Sequence, residues 1–423
     1  MQIEQGFTDN WLQPTGAQES LMRQFAGHKR FVWNRALLIE QARYRRGEKM
    51  LGCARMMREL TMWRNNPDPH SVFLKDAPVH ALQCVLWELY ESYRKFFRKE
   101  QVRPPQFKKK TRSRISFTES DPASFELDEA RKLVRLPKLG WVKCKFTQHI
   151  DGKPNSVTVR WNGVRWILSV QSRIEVADPV HPTSTIVAGD FGVVRRVTFS
   201  DGVVVPPVHV SWEEQRKAFY QRQLRNKRKF SQNWKKIVRK IAKLDSRIAN
   251  IRKDQTHKFT SAYSNSHAVI VLGDLSIKDM SASAAGTIEK PGKNVAQKSG
   301  LHRSILRQGW GELGRQLEYK ESWRGGLVEY QSEAYSSQRC LACGHTSKEN
   351  RRAQDKFECV ECGFSANADD VAAQNQLQKF LSSDKGLALL ASGYRASVNS
   401  LWSGQSWDSA TKQEPIEEVA HNA

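Results

Sequence analysis

Four cysteines in two pairs, Cys340-Leu-Ala-Cys343 and Cys359-Val-Glu-Cys362, constrain this chain more than any other feature. Four thiolates at this spacing can close a tetrahedron around Zn²⁺, each about 2.3 Å from the metal. Reduced thiols or two disulfides are the competing readings. A glycine follows each pair at once, Gly344 and Gly363, as the tight turn of a zinc knuckle favours. Asn367-Ala368-Asp369 comes directly afterwards, so the metal cage stands beside an acid. Cys53, Cys84 and Cys144 are scattered among apolar and basic residues and are expected to pack as small hydrophobes.

With 423 residues, 39% of them hydrophobic, the chain can bury two or three domain cores. It has no apolar run near the roughly 18 residues of a membrane span, and Met1-Gln2-Ile3 opens no signal peptide, so a soluble intracellular protein is expected. Its net charge of +24 is the second constraint. So many like charges repel unless phosphates neutralise them, which makes nucleic acid the expected partner and a membrane surface the weaker alternative.

The basic residues come in blocks. Gln18 to Arg46 has helical periodicity and ends in Arg43, Arg45 and Arg46. A second helix is read from Pro78 to Lys99, with Leu82, Leu86, Leu89, Tyr93 and Phe97 at spacings of three and four. Arg94-Lys95-Phe96-Phe97-Arg98-Lys99 then runs toward Phe107-Lys108-Lys109-Lys110, a mixture of aromatic and basic residues suited to base stacking and phosphate contact; a solvated helix end is the bland alternative. From Ile115 to Glu175 short alternating segments and the turns at Gly152 and Gly163 predict a small β-barrel or sheet, with Pro179 to Thr183 as a linker.

Thr185 to Val193 is an apolar strand ending in Asp190-Phe191-Gly192, the way ribonuclease-H-like folds place their first metal carboxylate. Trp212 to Lys258 reads as a basic helix pair carrying Arg225, Arg228, Lys235 and Lys236, more charge than solubility needs and suited to a channel wall. Ala268 to Leu272 reads as a buried strand.

In this order the motifs resemble the TnpB family, transposon-encoded, RNA-guided relatives of compact type V CRISPR effectors. The matching residues are Arg30 to Leu37, Gly189 to Val193, Asp274 to Met280, Leu317 to Lys320, Tyr335 to Cys340 and Asn367 to Asp369. The resemblance implies a multidomain α/β chain. A β-barrel wedge module (1–15 and 100–180) would hold an inserted helical recognition module (16–99). A RuvC, ribonuclease-H-like nuclease domain (184–335 and 366–381) would be interrupted by a zinc ribbon (336–365).

It further implies an RNA-guided endonuclease that binds guide RNA, recognises a short motif flanking its double-stranded DNA target, and cleaves with Mg²⁺ held by three carboxylates. Two map directly, Asp190 and Asp369. The third does not: Gly273-Asp274-Leu275 stands where the family carries Glu-Asp-Leu. Either the glutamate has moved to the helix downstream, or the nuclease is inactive and the protein is an RNA-guided DNA-binding repressor. With Leu306, Trp310, Leu313 and Leu317 as that helix's inward stripe, Glu321 lies about 40° from Leu317 and Glu318 about 100° away. Glu321 is therefore the expected ligand and Glu318 the second choice; either as a surface ion pair is the plain alternative. Asp274 is a poor substitute, because the neighbouring strand position faces the opposite side.

The remaining expectations are a structural Zn²⁺, catalytic Mg²⁺, a monomer or homodimer, and a prokaryotic cytoplasmic, nucleoid-associated location. Arg43, Arg45 and Arg46 are candidate contacts to the flanking duplex, and no recombinase constellation is found. Ser281 to Gly300 reads as a mobile loop beside the active site, and Ser382 to Ala423 as a mostly disordered tail with a short helix near Gly386 to Ala391.

Overall fold

The structure is a computed structural model that describes residues 2–65, 70–101, 103–111, 113–286 and 291–398. The chain divides into two compact units, Met1–Ala177 with Tyr220–Ser246, and Asp178–Phe219 with Arg247–Ala423.

The first unit begins with β1 (Gln2–Gln13), followed by α1 (Gly16–Arg45), α2 (Cys53–Asn65) and α3 (Val79–Phe97). Six further strands follow: β2 (Ser116–Glu119), β3 (Glu126–Asp128), β4 (Leu133–Leu136), β5 (Gly140–Lys145), β6 (Lys153–Trp161) and β7 (Trp166–Glu175). They form one antiparallel sheet in the order β2-β6-β7-β1-β5-β4-β3, so β1 lies mid-sheet and the helices enter as an insertion after it.

Alternation makes the sheet one-sided: Val157 and Val159 on β6, and Leu168 and Val170 on β7, are buried with Met22, Phe25, Leu37, Leu82 and Leu89 of the helices in one core. Thr15 and Gln18 close a capping box at the start of α1. Helix α2 was not read from the sequence, and Phe97, expected on the inner stripe of α3, is exposed at that helix's end.

The second unit contains β8 (Thr185–Phe191), β9 (Val197–Phe199), β10 (Val204–Val205), α4 (Ser211–Arg225), α5 (Gln232–Ser266) and β11 (Val269–Gly273). Then come α6 (Ile277–Met280), α7 (Val295–Gln308), α8 (Trp310–Arg324), β12 (Leu327–Gln331), β13 (Lys356–Glu358), β14 (Ser365–Asn367) and α9 (Ala368–Leu381). The sheet runs β10-β9-β8-β11-β12, with β8, β11 and β12 parallel and β9 antiparallel to β8. Every residue of β11 is buried, as expected of a central parallel strand.

Three expectations change. Val295 to Gly300, the end of the expected loop, is helical as the start of α7. The helix read through Leu306 and Leu317 is broken at left-handed Gly309, where buried Arg196 donates to the carbonyls of Gln308 and Gly309. Leu306 is therefore exposed, while Trp310, Leu313 and Leu317 are buried. Likewise Ser382 to Val398 is ordered: α10 (Asp384–Ala391) and β15 (Arg395–Ala396) follow α9, β15 pairs in parallel with β8, and Leu389, Tyr394 and Val398 pack on the sheet core. The expected tail from 399 onward, and 287–290 of the expected loop, lie outside the described residues.

Candidate active site

Strand register brings the acids together. Leu272 on β11 pairs with Gly189 on β8, and Gly273 pairs with Gln331 on β12, so Asp190, Gly273 and Gln331 lie side by side at the C-terminal ends of the three parallel strands, with Phe191 the last residue of β8. Glu333 lies two residues beyond Gln331, and its carboxyl group turns back over Gly273. A Cβ at Gly273 would lie 1.6 Å from Glu333 Oε1 and 2.2 Å from its Cδ. The glycine that replaces the family's glutamate thus leaves the space in which another glutamate carboxylate rests.

The electrostatics agree with this placement. Burial pushes the Asp190 carboxyl well above the usual range, and the charges of Glu333 and Asp369 push it further, against Arg351. Burial raises Glu333 to about 7, and its Oε1 is buried without a hydrogen-bond partner. Asp369 is also raised, chiefly by burial, with Arg351 and Arg195 opposing. Asn367 caps α9 by accepting the Asp369 N–H at 3.0 Å, which holds this acid in the helix's first turn. The next residue, Asp370, is tied to Arg195 at 3.1 Å. Arg351, from the segment between the two cysteine pairs, approaches Asp369 at 3.9 Å. All three carboxyls are raised by burial, Asp190 is raised further by the charges of the other two, and Glu333 has an orphaned oxygen, so each would gain from a nearby cation.

Neither expected glutamate joins them. Glu321 is fully buried, as the helical angle implied, but its carboxyl faces the Ser264 side chain and meets His181 Nε2 at 3.6 Å. His181 accepts the Thr183 N–H at Nδ1, leaving Nε2 to donate to the Ser264 carbonyl. Burial raises Glu321 to about 7. Glu318 faces Tyr330, whose hydroxyl it pushes up along with burial. The acid that the reading from sequence missed, Glu333, follows β12 in a stretch without periodicity. Its one signal was Gly273.

The four thiols are free, and their Sγ atoms lie within 4.8 Å of one another, with Cys340 to Cys362 at 3.7 Å and Cys343 to Cys359 at 3.6 Å. Ligands at about 2.3 Å around a tetrahedral metal stand about 3.8 Å apart, so these sulfurs sit at metal-site spacing and well outside a disulfide. Cys53 and Cys144 pack in or against the core of the first unit, and Cys84 contacts Ser120.

The candidate nucleic-acid contacts divide by what already occupies them. Arg43 and Arg46 both pair with Glu48, and Lys108 pairs with Glu88 while lying 3.5 Å over the Trp33 ring, so Lys108 serves the packing of its own unit. Arg45, Lys109, Lys110, Arg225, Arg228, Lys235 and Lys236 have no ion pair among the described residues. No helix among the described residues is long and apolar enough to cross a membrane.

Three family models match the chain: a "Helix-turn-helix domain" over 11–49, "Probable transposase" over 169–284 and "Cas12f1-like, TNB domain" over 310–376. The chain is 44% identical to an Escherichia coli K12 protein named "Putative RNA-guided DNA endonuclease InsQ", across 97% of this chain and 98% of that protein. A Streptomyces pristinaespiralis protein of the same description is 27% identical across 95% of this chain and 94% of its own length. Among solved structures, the Cas12f1 of a complex with sgRNA and target DNA shares the fold at a TM-score of 0.54 and 11% identity, covering 86% of this chain and 83% of that one.

Proposed function

Because the chain belongs to the TnpB family of RNA-guided DNA endonucleases, we propose that it binds a guide RNA and cleaves the DNA that the guide pairs with, using Asp190, Glu333 and Asp369. The observation that carries this reading is the Glu333 carboxylate resting over Gly273 beside Asp190. A third acid in place weighs against the nuclease-inactive alternative.

The second unit's sheet order, a strand antiparallel to β8 on one side and two parallel strands on the other, supports a ribonuclease-H-like RuvC nuclease. The Cys340, Cys343, Cys359 and Cys362 module is read as its zinc ribbon, and the first unit's sheet, whose edge strands are β2 and β3, as the wedge module around an inserted helical recognition module. Asp190, Glu333 and Asp369 would hold Mg²⁺, which supplies a water of lowered pKa and charge neutralisation at the scissile phosphodiester. The protein's part is to fix these acids on rigid strand ends and a capped helix turn, and to keep the site dry enough that their charges attract a cation strongly. Arg351 adds a positive charge beside Asp369, where it offsets repulsion between the acids and an incoming phosphate. Guide pairing supplies sequence specificity, while the protein needs shape, charge and contacts to a short flanking motif.

The test is cleavage of a target-plasmid library by the chain purified with its co-expressed RNA in Mg²⁺. Asp190→Ala and Glu333→Ala are expected to abolish cutting while guide-dependent binding persists, and Glu321→Gln to cut as the native chain does. Cutting that survives Glu333→Ala and fails in Glu321→Gln would refute this site.

A further inference from the structure

A second candidate site lies within the first unit. One face of α1 presents Ser20, Gln24, Gly27 and His28 at the i, i+4, i+7, i+8 spacing of a single helical stripe. Together with Arg30 and Lys110 it lines an open cleft of about 520 Å³, within the roughly 300–1,000 Å³ typical of ligand pockets.

What distinguishes this stripe from an ordinary solvated helix face is that its polar groups lack protein partners. Ser20, Gln24, Arg30 and Lys110 make no side-chain hydrogen bond or ion pair among the described residues. His28 Nδ1 is buried and unpartnered, although its ring packs against Phe73. Neighbouring Arg23, by contrast, is committed to Glu19 and the Trp161 ring. Gly27 is the second signal. Glycine is a poorer helix former than alanine, and here it leaves the cleft floor without a side chain.

We propose that this cleft holds one nucleotide of a bound nucleic-acid strand, with Arg30 and Lys110 at its phosphate and Gln24, Ser20 and His28 at its base edge. Two cations with no carboxylate between them match a phosphodiester. An amide, a hydroxyl and an imidazole supply both donors and acceptors, as a base edge requires. The proposal rests on the nucleic-acid reading above and adds a place where a single base is held. The nucleotide belongs to the guide RNA or to the DNA, and the experiment separates the two.

Guide RNA and target duplex are each synthesised with one abasic nucleotide at successive positions. Dissociation constants are measured by filter binding for the full-length native chain, Gln24→Ala and Gly27→Leu. The leucine fills the cleft while raising helix propensity, and a melting curve confirms that both variants fold. At one position, in the RNA arm or in the DNA arm, loss of the base should weaken native binding about tenfold, as expected for one well-held base. In both variants the same abasic position should have no further effect, and their binding of the intact strand should already be weaker by that factor. Intact binding in which no position couples to either variant would overturn the cleft assignment alone. A native chain that binds neither strand would overturn the functional reading as well.

Discussion

At Gly273 the missing side chain is occupied space. Because a Cβ there meets the flexible end of Glu333 rather than backbone, Gly273→Ala is expected to displace a carboxylate without unfolding the chain. Cleavage should fall by more than about a hundredfold, as for loss of a metal ligand, with an unchanged melting temperature. Gly273→Glu combined with Glu333→Gly should recover cutting in the plasmid assay that Glu333→Gly alone loses. Glu321 calls for a different measurement. Its carboxyl titrates near 7 in the folded chain against 4.5 in its ordinary state. Between those values the folded chain keeps a proton that the unfolded chain has released, so this group's contribution to stability falls as pH rises through the window and levels off above it. Glu321→Gln should flatten that part of the denaturation profile and stabilise the protein at pH 8 by about 1–3 kcal/mol. The sequence showed that an acid was missing at 273 and that Glu321 would be buried. It did not show Glu333, because adjacency across parallel strands joins residues far apart in the chain and leaves no local spacing to read.

Among the elements, those legible in the sequence were the ones with a strong period or a ligand spacing: α1, α3, the α4 and α5 pair, the buried β11 and the cysteine knuckles. The break at Gly309 and the ordered β15 were not legible, because both depend on remote partners, the Arg196 guanidinium and the edge of β8. Helix α10 and β15 cover Ile186, Ala188 and Leu377. Truncation after Leu381 should therefore lower stability by about 2–4 kcal/mol through uncovered apolar surface, measured by urea denaturation.

For the molecule as a whole, the charge of +24 implies strongly salt-dependent association with nucleic acid. Guide affinity should fall by about a thousandfold or more between 50 and 200 mM salt if six or more phosphates are contacted, and a flat salt profile would contradict this. The two acids that do not lie on β8 also share an address. Glu333, whose carbonyl accepts the Ser336 N–H, precedes the cysteine module, and Asp369 follows it. On the functional reading proposed above, the module would act as a clasp with a proposed cleavage residue at each of its two ends. With zinc bound there as proposed, thiol oxidation or metal loss would loosen both ends at once, a built-in fuse, and Cys359→Ser is expected to silence cutting with every carboxylate still present.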